Sequence, residues 1–200
     1  MVNELGGGPA VLVGNSFAGG SATIAAAKLP ELVSAIVEIA PFTRPPKLDV
    51  RAMRGNPRYR KGTALLLGTG ITGSIALWTR YLDHAFPGAK PANYTRLVAD
   101  TASSLRQPGR MRVVQRMGLS RPKDAAAALP EVHCPALIIM GTLDSDWPDP
   151  RAEADAVVAA MPAGVGSVAM IDGAGHYPHA QFPGETAEVI ISFLIDHGLS

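Results

Sequence analysis

Apolar positions along this chain fall into short β-branched runs that alternate with longer alanine-rich stretches. Ala10–Gly14 (AVLVG) is uninterrupted by polar residues and ends in glycine, the pattern of a strand buried on both faces. Phe17–Lys28 predicts a helix stopped by Pro30, and Val33–Ala40 predicts a second strand ended by Pro41. The pattern then breaks: Phe42–Arg60 is rich in proline and basic residues, has no clean period and reads as a linker. Thr63–Thr79, Asn93–Ser104 and Gly109–Met117 read as helices punctuated by Pro87, Pro91 and Pro108. Alternation returns with a strand at Ala136–Met140, a turn at Gly141–Pro150, a helix at Arg151–Met161, a strand at Ser167–Ile171 and a closing helix at Gly184–His197. Strands and helices alternating at this spacing predict an α/β fold with a mostly parallel sheet. The expected division is a core of residues 1–41 and 131–200 with an all-helical insertion at 42–130.

Composition narrows the class without changing it. Of 200 residues 47% are hydrophobic and 18% charged, enough for a packed core and too apolar for disorder. A single cysteine, Cys134, cannot form an internal disulfide and fits a reducing compartment, where it reads as a small buried hydrophobe. Met1–Leu5 lacks the basic and apolar regions of a secretory signal, so the expected location is the cytoplasm. The longest uncharged stretch, Gly62–Thr79, is broken by Gly68, Gly70 and Gly73 and makes a poor membrane span. Charge is more informative. Between Phe42 and Lys123 sixteen Lys or Arg face three acids, whereas the rest of the chain holds two bases and fourteen acids. Units of opposite charge suggest different tasks.

The candidate chemistry lies at strand ends. Gly14-Asn15-Ser16-Phe17-Ala18-Gly19 joins the first strand to the first helix. A hydroxyl nucleophile exposed on a sharp strand-to-helix turn needs small residues two positions to either side, and Gly14 and Ala18 meet that need. The Phe17 N–H, at the helix N-terminus, is placed to donate to a developing oxyanion. Asp144 follows the strand Ala136–Met140, and His176 follows the strand Ser167–Ile171, so three strand ends supply a serine, an acid and a base. Asp146 shares the turn with Asp144 and stays open as the acid, while Asp149 before Pro150 reads as a helix cap. His176, His179 and Asp172 could be drawn as a metal site, but no further ligand is evident and no metal is expected. His197 suits a helix C-terminus, and His84 and His133 read as surface residues.

VGNSFAGG, CPALIIMGTLDSDWP and GAGHYPHAQFPGETAEVIISFL resemble the nucleophile elbow, acid loop and histidine loop of the cap-bearing α/β-hydrolases. The resemblance covers residues 5–41 and 130–197, and 42–130 takes the place of the family's cap. It implies that Ser16 attacks a carbonyl, His176 carries the proton, Asp144 holds the imidazole, and no cofactor takes part. It implies carboxylic esters or related acyl bonds as substrates, with carbon–carbon bond hydrolysis as the alternative because Gly-Asn-Ser elbows resemble those of ring-cleavage-product hydrolases. The departure is upstream, where fifteen residues precede Ser16 in place of the family's earlier strands and second oxyanion donor. The chain therefore reads as a fragment, with an inactive hydrolase-like protein or half of a two-chain assembly as the other readings. The first strand would leave an open edge for self-association or a partner chain.

Gly68-Thr69-Gly70-Ile71-Thr72-Gly73 matches G-x-G-x-x-G, yet it lies inside the insertion without a suitably spaced acid, and close helix contact explains it better than a dinucleotide. Arg44, Lys47, Arg51, Arg54, Arg58, Arg60 and Lys61 fall close together with no nucleic-acid motif or interleaved aromatics. Neither nucleic acid nor membrane is an expected partner. A functional reading of the basic residues is a positive lid that draws carboxylate-bearing substrates.

Overall fold

The computed structural model describes Glu4 and residues 8–199. Four strands, β1 (Ala10–Asn15), β2 (Val33–Ile39), β3 (Ala136–Gly141) and β4 (Gly166–Ile171), form one sheet in the order β1-β2-β3-β4. Every neighbouring pair is parallel. The two central strands are buried almost throughout, which is why their sequences are continuous apolar runs. Among the described residues β1 pairs with β2 alone, and Val13 on it is 58% exposed.

Because side chains alternate along a strand, each run feeds two cores. Ile36, Ile138 and Met140 pack on one face with Ala22 and Ala26 of α1 (Phe17–Lys28) and with Ala154 and Val157 of α8 (Pro150–Val158). Ala35, Val37, Ile39, Leu137 and Ile139 pack on the other face, where Phe193 of α10 (Pro183–Asp196) covers them. A short helix, α9 (Pro178–Gln181), follows the β4 loop.

Between β2 and β3 the chain forms six helices: α2 (Val50–Gly55), α3 (Pro57–Thr72), α4 (Ile75–Ala85), α5 (Tyr94–Leu105), α6 (Arg110–Leu119) and α7 (Lys123–Ala128). Two expectations need correction here. The segment read as a linker to Arg60 is helical from Val50, because Asp49 and Asn56 cap α2 and α3 through their side chains and Pro57 opens α3. The helix expected over Thr63–Thr79 is two helices. Gly73 turns left-handed (φ 66°) at the end of α3, and the Ser74 side chain accepts from Leu77 N to start α4. The glycine-rich motif thus lies in and just after a helix, where it has no loop geometry for cradling phosphates. Tyr81, Leu82 and Ala85 form a small third core with Trp78 and Leu66. His84 is half-buried rather than a free surface residue, its Nε2 lying 2.9 Å from the Arg58 carbonyl oxygen. Among the described residues, no helix is long and apolar enough to cross a membrane.

Candidate active site

Ser16 stands between β1 and α1 at φ 54° and ψ −117°, a left-handed conformation that costs a non-glycine residue free energy. The surroundings hold it there. Ser16 N donates to Ile39 O at 2.9 Å, and Ser16 O accepts from Gly19 N and Phe42 N, each at 3.0 Å. A Cβ on Gly14 would lie 2.5 Å from the Ala18 carbonyl group, so the turn closes only over a glycine. Phe17 is the first residue of α1, and its N–H has no acceptor within the helix. Among the described residues the Ser16 hydroxyl makes no hydrogen bond.

Asp144 and His176 follow the ends of β3 and β4. Asp144 is 2% exposed and His176 is 4% exposed. His176 Nδ1 lies 2.9 Å from Asp144 Oδ2, while Asp144 Oδ1 accepts from Asp146 N at 3.0 Å. Asp146 lies farther away, with Oδ2 3.5 Å from Nδ1, and both its oxygens accept from the Tyr81 hydroxyl, at 2.9 and 2.8 Å. The shorter contact and fuller burial favour Asp144 as the imidazole's partner. Because Nδ1 is engaged, Nε2 is the nitrogen left to face a substrate. Burial pulls the imidazole down, but the charges of Asp144 and Asp146 outweigh it and hold His176 above its ordinary value. Burial raises Asp146, and the charge of His176 opposes that rise.

Side chains that the sequence reading did not single out fix this geometry. Asn15 Nδ2 donates to Ile39 O at 3.0 Å and to His176 O at 3.3 Å, joining the elbow to the histidine loop. His176 N donates to Ala85 O, at the end of α4. Gln181 accepts from Gly175 N and donates to Pro87 O and Ala89 O, each at 2.8 Å. No spacing in the sequence announces these links, because most of them join segments far apart along the chain. Asp149 does cap α8, accepting from Ala152 N at 3.0 Å, and His197 Nδ1 meets Phe193 O at the end of α10. Asp172 binds the Thr142 hydroxyl rather than a histidine, so the arrangement drawn from His176, His179 and Asp172 does not assemble. Among the described residues, Asp144, Asp146 and His176 do bring possible metal-ligand atoms within 4.8 Å of one another, and hydrogen bonds already engage those atoms.

A cavity of about 730 Å³ opens at the sheet's C-terminal edge and is lined by Ser16, Phe17, Asp146 and His176. Phe42, Trp147 and Tyr177 also line it, as do Leu66, Trp78 and Met117 of the helices between β2 and β3. Lys47 and Arg121 stand among its lining residues. Its size and apolar walls suit a small organic molecule.

The comparisons with known proteins agree with this architecture. A family described as the alpha/beta hydrolase family matches residues 1–189. No curated protein matches the chain by sequence. Among solved structures, 2-hydroxy-6-oxo-6-phenylhexa-2,4-dienoate hydrolase from Rhodococcus sp. is 13% identical with a TM-score of 0.73, over 96% of this chain and 66% of that one. A thermophilic esterase from Thermogutta terrifontis is 22% identical with a TM-score of 0.63, over 98% of this chain and 68% of that one. A serine hydrolase from Cycloclasticus zankles is 16% identical with a TM-score of 0.65, over 99% and 67%. The chain thus spans about two thirds of the length of these structures.

Proposed function

We propose, from the premise that this chain belongs to the alpha/beta hydrolase family, that it is a serine hydrolase cleaving carboxylic esters or related acyl bonds. Ser16 Oγ attacks the carbonyl carbon while His176 Nε2 takes its proton, and Asp144 fixes the imidazole through Nδ1. The Phe17 N–H donates to the oxyanion. The tetrahedral intermediate collapses as His176 returns the proton to the leaving oxygen. Water, deprotonated by the same nitrogen, then attacks the acyl-enzyme and releases the acid and Ser16. One observation carries the reading: a strained serine and a histidine bonded to a buried aspartate line the same apolar cavity.

Hydrolysis of a carbon–carbon bond beside a carbonyl is the second reading, favoured by the Gly14-Asn15-Ser16 elbow. A fluorophosphonate probe tests the nucleophile common to both. Labelling at Ser16 should disappear on denaturation and in Ser16→Ala, whose turnover should fall by about 10³-fold or more. A folded chain that stays unlabelled would leave only a non-catalytic hydrolase-like protein. Turnover of a chromogenic ring-cleavage product faster than of p-nitrophenyl esters would move the assignment to the carbon–carbon bond.

A further inference from the structure

Acyl transfer calls for one carboxylate behind the base, and this site has two. Asp146 Oδ2 lies 3.5 Å from His176 Nδ1, the atom that Asp144 already holds at 2.9 Å. What keeps Asp146 at that distance comes from the insertion. The Tyr81 hydroxyl of α4 lies 2.9 Å from Oδ1 and 2.8 Å from Oδ2. Tyr81 is 2% exposed and stacks on Trp78 with ring centroids 5.2 Å apart, so its hydroxyl is fixed by packing. The other groups around the pair are Asp144, His176 and Tyr177, whose ring meets the imidazole edge-on at 5.0 Å. His179 lies beyond Tyr177, its ring 6.2 Å away.

We propose that Asp146 is a positioning residue for His176, and that Tyr81 orients it, so that the docked insertion helix α4 tunes the charge state of the catalytic base. The proposal rests on the serine-hydrolase reading. A second negative charge beside Nδ1 favours the imidazolium. It therefore favours uptake of the proton that Ser16 surrenders, and moves the titration of the base to higher pH. By donating to both oxygens, Tyr81 favours the ionised form of Asp146 and keeps the carboxylate from displacing Asp144 at Nδ1. Burial keeps the phenol itself protonated and available as the donor.

Two measurements separate this pair from the wider reading. In the Ser16→Ala chain, ¹⁵N shifts of the His176 imidazole followed against pH report its titration without any turnover. In the chain with Ser16 present, the acid limb of kcat/KM on a neutral ester reports the same group through catalysis. Asp146→Asn should move the His176 midpoint down by about one pH unit or more in both measurements. Tyr81→Phe keeps the ring and its stack. It should move the midpoint in the same direction but less, because Asp146 then takes up its proton more readily. The Tyr81→Phe/Asp146→Asn double variant should titrate where Asp146→Asn does, since Tyr81 acts through that carboxylate. An unmoved midpoint in Asp146→Asn, or additive shifts in the double variant, would overturn the proposal. If Asp146→Asn does not fold, the direction of the Tyr81→Phe shift decides. Shifted midpoints in a chain that the fluorophosphonate does not label would uphold the pair and sink the serine-hydrolase reading instead.

Discussion

Glu38 lies on β2 with no exposed surface, one carboxyl oxygen accepting from the Thr23 hydroxyl and Oε2 without a partner among the described residues. Burial raises its carboxyl from 4.5 to about 8, against the pull of the Thr23 hydroxyl. Such a group holds its proton more tightly folded than unfolded. Its contribution to stability is complete below pH 4.5 and is lost progressively as pH rises through about 8. Glu38→Gln should therefore match the unaltered chain near the acid end of that window. Above it the variant should be more stable, by on the order of 3–5 kcal/mol. Urea unfolding across the pH range checks this, and parallel curves for the two chains would refute it. No sequence pattern marks Glu38, since an acid within VSAIVEI reads as one polar interruption of a strand. Ser16 differs, because its small neighbours and flanking elements mark the sharp strand-to-helix turn locally.

At the scale of elements, the decisive contact joins α4 to the histidine loop. A Cβ on Gly175 would collide with the Ala85 carbonyl oxygen and the Pro87 ring, so α4 and its following turn seat directly on the loop. Phe86 then stacks on Tyr177, with ring centroids 4.8 Å apart and planes 13° apart. Gly175→Ala should cost about 1–3 kcal/mol in urea unfolding, as overpacking of a fixed contact does. Because the His176 amide bonds to Ala85 O, the same change should also lower kcat/KM by more than about tenfold. Gly184→Ala is the control, since a Cβ there meets nothing within 4 Å, and it should leave both quantities near their starting values. Equal effects of the two substitutions would show that the seating of α4 does not matter. The helix boundaries within 42–79 are set locally. Asp49, Asn56 and Gly73 are ordinary start and stop signals, and the weak hydrophobic period of the segment masks them.

Across the whole molecule, charge and cavity meet at one opening. The stretch from Phe42 to Lys123 carries sixteen bases against three acids, and its Lys47 and Arg121 line the cavity that also holds Ser16 and His176. A positive rim should raise the encounter rate of anionic esters over neutral ones. Increasing ionic strength from about 0.05 to about 0.5 M should then lower kcat/KM several-fold for a carboxylate-bearing ester and leave a neutral ester nearly unchanged. Equal salt effects on the two substrates would dismiss the idea.

By itself the sequence determined the alternation of strand and helix, the fold class, and the three strand ends where a serine, an aspartate and a histidine fall in order. Those depend on residue type and spacing over ten or twenty positions, where burial and backbone conformation act locally. The tertiary structure alone decided which aspartate lies nearer the imidazole, that Tyr81 holds the other, and that Asn15, Ala85 and Gln181 tie three loops together. Such choices are distances between segments up to 161 residues apart. They are set by how helices pack on the sheet and on one another, which a single sequence does not record.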